Sequence, residues 1–130
     1  MAVNGKTRTY KTTKKDFEKF KKAALKFAQK FGLTDWEIHV FHEEWGNEDS
    51  RAYNRCNYTG RVASISLAPE WNTRPVSGEI ERTAFHEIFE VLLAPLTTCA
   101  FGRFVTEDEI DEAIHYIVRT MENVMLGMMK

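Results

Sequence analysis

The chain predicts a small α+β domain: an N-terminal helix, a small antiparallel sheet, a helix carrying a histidine–glutamate motif and a C-terminal helix. Three observations carry this. Apolar residues recur at three- and four-residue steps in three segments, which is the helical period. Between the first and second of these lie short segments that alternate apolar and polar, which is the strand period. A length of 130 residues suffices for one hydrophobic core and argues against two.

Residues 1–12 read as a flexible, basic leader, and 13–130 as a single domain. Thr12 or Thr13 can cap a first helix that runs to about Phe31 and stops at Gly32. Phe17, Phe20, Ala24, Phe27, Ala28 and Phe31 form its apolar stripe, and the lysines between them its solvated face. Trp36 to His42, Arg51 to Tyr58 and Arg61 to Leu67 are the strand candidates, joined by a loop at Gly46–Asp49 and a tight turn at Thr59–Gly60. In the third strand Ala63, Ile65 and Leu67 share one face, and Ser64 and Ser66 the other. A connecting loop, Pro69 to Gly78, leads to a helix from about Glu79 to Ala94 or a turn beyond, which Pro95 ends or kinks. After a break near Gly102, Thr106 and Glu109 have the capping-box spacing. They open a last helix with Ile110, Ala113, Ile114, Ile117, Val118, Met121, Val124 and Met125 as its stripe.

Composition excludes several classes. A net charge of -1 gives no case for nucleic acid as partner or for an anionic membrane surface. Met1 to Arg8 is polar, and no stretch approaches the uninterrupted apolar length of a membrane span, so cytoplasmic residence is expected. Cys56 and Cys99 form no C-x-x-C pair and are expected to be reduced and structural.

The chemistry-bearing segment is His86-Glu87-Ile88-Phe89-Glu90. It differs by one letter from H-E-x-x-H, in which two ligands one helical turn apart hold zinc and the intervening glutamate is the general base. Glu90 stands at the second ligand position, and a carboxylate also binds zinc. Apolar residues cover most of this helix, leaving a stripe of Glu79, Thr83, His86, Glu87 and Glu90. Ionisable groups on so apolar a helix must be paired, solvated in a cleft or bound to metal. Residues 86 and 90 lie one above the other and can converge on one ion. The bland alternative is the wet face of an amphipathic helix. His39 and His42, three apart on a strand, point to opposite faces and are not expected to share an ion.

From about residue 13 to 126, and most sharply over Ala84-Phe85-His86-Glu87-Ile88-Phe89-Glu90-Val91-Leu92-Leu93-Ala94-Pro95-Leu96, the chain resembles the zincin superfamily. It is most like the small gluzincin-like metallopeptidases found as compact bacterial and phage proteins. The resemblance implies a minimal zincin-like fold and a Zn(2+)-dependent hydrolase, a peptidase, in which Glu87 activates water. It implies a third metal ligand on the last helix, where relatives carry an acidic residue and this chain carries His115. His86, Glu90 and His115 would then supply two imidazoles and one carboxylate, a set that also suits iron or manganese. Asp111 would orient His115, and Glu112 and Glu122 are competing ligands. Tyr116 reads as a transition-state donor or a packed aromatic. The expected partner is a peptide or protein, bound along an edge strand such as Arg61 to Leu67. The alternative is a catalytically inactive zincin-like scaffold that binds a partner protein.

Overall fold

The structure, a computed structural model, describes residues 10–46 and 50–126. Its elements are β1 (Tyr10–Lys11), α1 (Lys14–Lys30), β2 (Glu37–Phe41), β3 (Ala52–Asn57), β4 (Val62–Leu67), β5 (Glu70–Trp71), α2 (Glu79–Leu92), α3 (Ala94–Phe101) and α4 (Glu107–Leu126). The architecture is α+β, as the periodicities predict.

Helix α1 begins on the expected cap. The Thr13 hydroxyl accepts from the Asp16 amide, and the Asp16 carboxylate accepts from the Thr13 amide, both at 3.0 Å. The helix ends before Gly32, whose φ of +72° suits glycine. Of its predicted stripe, Phe20, Ala24 and Ala28 are buried, and Phe17, Phe27 and Phe31 pack against the core as half-buried rings. The leader requires a correction. Residues 1–9 lie outside the described part, but Tyr10 and Lys11 pair with Trp71 and Glu70. Thr12 is buried, and its hydroxyl donates to the carbonyl of Ala68 at 2.8 Å.

The sheet is mixed, not antiparallel throughout. Its order is β2-β4-β3, with β3 antiparallel to β4 across the 58–61 turn and β2 parallel to β4. β2 and β3 flank β4, so the chain leaving β2 passes the C-terminal end of β4 to reach β3. The passage explains Ser66, which sits on the predicted polar face and is nevertheless fully buried. Its hydroxyl accepts from the Glu43 amide at 2.8 Å and donates to the Glu43 carbonyl at 2.7 Å, pinning the crossing loop. The same order puts β4 in the middle. Arg61 to Leu67 is therefore not an edge, and β3 is the edge strand on the side of α2.

The core lies between the sheet and the pair α1 and α2, with Phe20, Ile65, Leu67, Trp71, Ile88, Val91 and Leu92 almost wholly buried. The motif helix stops earlier than expected. At Leu93 the chain turns through 60° into the separate helix α3. Pro95 has no amide to continue the ladder, which accounts for the break. Helix α3 lies beside α4, where a third ligand on the last helix, as the resemblance implies, would require the motif helix, while α2 packs on α1, β3 and α3. Thr106 and Glu109 make the expected reciprocal cap of α4. Its stripe is only partly covered: Ala113 is buried, whereas Ile110, Ile114 and Val118 remain 40%, 43% and 45% exposed. Among the described residues, no single helix is long and apolar enough to cross a membrane.

Candidate metal centre

Helix α2 packs on the edge strand β3, and Glu87 and Glu90 of its motif stripe reach that strand. Along β3, alternation and register put Ala52, Asn54 and Cys56 on the same face as Leu67, Ile65 and Ala63, toward the helices. Asn54 and Cys56 therefore look at the acidic side of α2.

His86, Glu87 and Glu90 each offer a ligand atom, and these atoms lie within 4.8 Å of one another. The imidazole Nε2 of His86 is 3.3 Å from the Glu90 Oε2. Two ligands at about 2.0–2.1 Å from a tetrahedral ion stand about 3.3–3.4 Å apart, so this pair has the spacing of one edge of a zinc site. Both side chains are open to solvent, at 66% and 50% exposure, which leaves room for further ligands. Glu87, between them in sequence, is only 7% exposed.

One amide organises both carboxylates. The Asn54 side chain donates from Nδ2 to the Glu87 Oε1 at 2.7 Å and to the Glu90 Oε1 at 2.6 Å. An NH₂ group has two hydrogens, so each carboxylate receives one. Burial raises the Glu87 carboxyl above its usual range; the Asn54 hydrogen bond works against that shift, and the neighbouring Glu90 charge adds to it. Burial, with Glu90 and Glu87 nearby, pushes the Cys56 thiol up to about 11. Cys56 is therefore a neutral wall residue at neutral pH. Glu79, at the start of the stripe, is engaged elsewhere, in an ion pair with Arg51.

His115 is not brought to this group. It lies exposed on α4, and its Nδ1 donates to the Asp111 carbonyl at 2.8 Å, with the Asp111 carboxylate at 3.4 Å. The physical reason is the bend at Leu93, which sets α3 rather than α2 against α4. Glu112 lines a different hollow, between α3 and the 58–59 turn, and Glu122 is exposed. Tyr116 is also committed elsewhere. Its hydroxyl donates to Asp35 at 3.0 Å, and the Arg61 guanidinium lies 4.7 Å from its ring. His39 pairs with Glu37, while His42 stacks on Phe17 and contacts the Thr12 hydroxyl at 2.7 Å, so the two histidines are separated as expected.

Sequence reasoning missed Asn54. The available signal was weak: a polar residue at an inward position of a strand whose neighbours Ala52 and Cys56 are small and apolar. Comparison with protein-family models, curated proteins and solved structures yields no match.

Proposed function

We propose that this chain is a zinc-dependent hydrolase acting on peptides, with His86 and Glu90 as metal ligands and Glu87 as general base. The observation that carries the reading is the convergence of these three side chains on one turn of α2, with a buried Glu87 held by Asn54. Bound zinc would lower the pKa of a water and polarise the scissile carbonyl. Glu87 would accept the water's proton and later give it to the leaving amine. Its burial and the Asn54 hydrogen bond fix the carboxylate toward the ligand pair. Strand β3, the edge of the sheet beside the cluster, is the position at which an extended peptide could add as a further strand. Cytoplasmic residence belongs to the same reading, and the two free thiols are consistent with it.

A second reading has its own observation. With His115 outside the cluster, the described residues supply two ligands and a base rather than three ligands. That favours a zincin-like scaffold that binds a partner and has lost catalysis. Hydrolysis of an unfolded protein substrate, measured with zinc and with chelator, separates the two. The hydrolase reading expects chelator-sensitive cleavage that Glu87→Gln abolishes. Cleavage absent under both conditions favours the scaffold.

A further inference from the structure

The His86–Glu87–Glu90 cluster stands between two cavities of opposite character. On one side, at the α2–α3 bend, lies a cavity of about 540 Å³ whose surface is mostly apolar. Leu93, Ala94, Thr97 and Phe101 wall it, and Asn54 and Glu90 stand where it meets the cluster. On the other side a mostly polar cavity of about 410 Å³ is lined by Arg51, Arg82, Thr83, His86 and Glu87. Glu90 borders the first cavity, and His86 and Glu87 border the second. An extended chain with its reacting bond at the cluster therefore sends its neighbouring side chains into different surroundings.

The two arginines of the polar cavity are not equivalent. Arg51 is paired with Glu79 and lies 5.2 Å from the Trp71 ring centroid. Arg82, one turn before His86, is exposed, and its guanidinium makes no hydrogen bond or ion pair among the described residues. A free guanidinium in a polar hollow suits a carboxylate, which it can hold through two parallel hydrogen bonds. The apolar hollow suits an aliphatic or aromatic side chain, whose burial is favourable without any polar partner. A cationic side chain gains nothing there beyond the Glu90 rim and loses its hydration.

We propose that the cleft selects peptides carrying an apolar side chain on one side of the scissile bond and a carboxylate on the other. The apolar group enters the Leu93–Thr97 cavity, and the carboxylate meets Arg82. This inference rests on the hydrolase reading for the words "scissile bond", but not for the binding preference itself.

The test uses the full chain and blocked hexapeptides with central pairs Leu-Asp, Asp-Leu, Leu-Lys and Lys-Asp. Binding to chelator-treated protein is followed by amide shifts in ¹⁵N-labelled protein, and cleavage is measured after zinc is restored. One of the Leu and Asp peptides should bind about ten-fold tighter than Leu-Lys and Lys-Asp, a ratio in the range that a single pocket contact provides. The shifts should concentrate at residues 82–86 and 93–101. Arg82→Glu should transfer the preference from Asp to Lys, and Thr97→Trp, which fills the apolar cavity, should remove the preference for Leu. Selective binding without cleavage supports the inference and sinks the hydrolase reading. Cleavage with no preference among the peptides overturns the inference and leaves the hydrolase reading standing. Equal binding of all four, or binding of none, also overturns the inference.

Discussion

Asn54 decides how two carboxylates three residues apart on α2 coexist at the edge of a core. Left alone they repel, and the buried Glu87 lacks water to compensate. A neutral amide gives each a donor without adding charge. Replacing it with an apolar residue of similar size strands Glu87. Asn54→Leu should therefore destabilise the fold by about 1–3 kcal/mol, the cost of an unsatisfied buried polar group. Urea denaturation reads this, and an unchanged midpoint would remove Asn54 from the role. The ligand roles are tested on the same scale. His86→Ala should abolish tight zinc binding, whereas His115→Ala should leave it unchanged, because His115 is held by Asp111 on a helix that packs on α3. Equal losses in both variants would bring His115 back into the ligand set. His86 and Glu90 were legible in the sequence because a spacing of four on a helix is local geometry. Asn54 was not, because its partner Glu87 lies 33 residues away and only the packing of α2 on β3 brings them together.

The elements themselves were largely legible, and the departures from expectation have causes outside any one element. Capping signals at Thr13 and Thr106 are local, and both helices start on them. The parallel pairing of β2 with β4 is not a local property, since either direction serves the same alternation of side chains. It depends on the crossing loop, and that loop depends on Ser66. Ser66→Ala removes the partner of both Glu43 backbone groups and should cost about 1–3 kcal/mol. Thermal denaturation checks this, and a loss below a few tenths would mean that the loop is held by other contacts. Helix α3 was hidden because Leu93 continues the apolar run into Ala94. Only the missing amide of Pro95 marks the break, and it does not say whether the chain stops or starts a new helix. That ambiguity misplaced α4. The helix lies against α3 rather than α2, with Ala113 buried and Ile117 and Met121 packed on the core.

Across the whole molecule, the N-terminal strap ties α1, the crossing loop and the β4–β5 connection together through Thr12. Its hydroxyl proton goes to the Ala68 or Pro69 carbonyl, so the Nε2 of His42 must donate to Thr12. Burial holds the His42 imidazole below its ordinary value of 6.5, with Asp16 opposing. A histidine with a depressed folded pKa leaves the unfolded chain binding more protons. Stability is then full above 6.5 and falls as pH drops through that value and the lower folded one. The melting temperature should decline from pH 7.5 to pH 5.5, and less steeply in His42→Gln. Identical pH profiles would remove His42 as the titrating group.

Whether one turn of α2 is a metal site is decided by calorimetric titration of zinc into chelator-treated protein at fixed pH. One equivalent should bind, with at least a ten-fold loss of affinity in both His86→Ala and Glu90→Ala, in the range seen when metal-site residues are removed. No binding by the unaltered chain, or binding that neither substitution weakens, would contradict it.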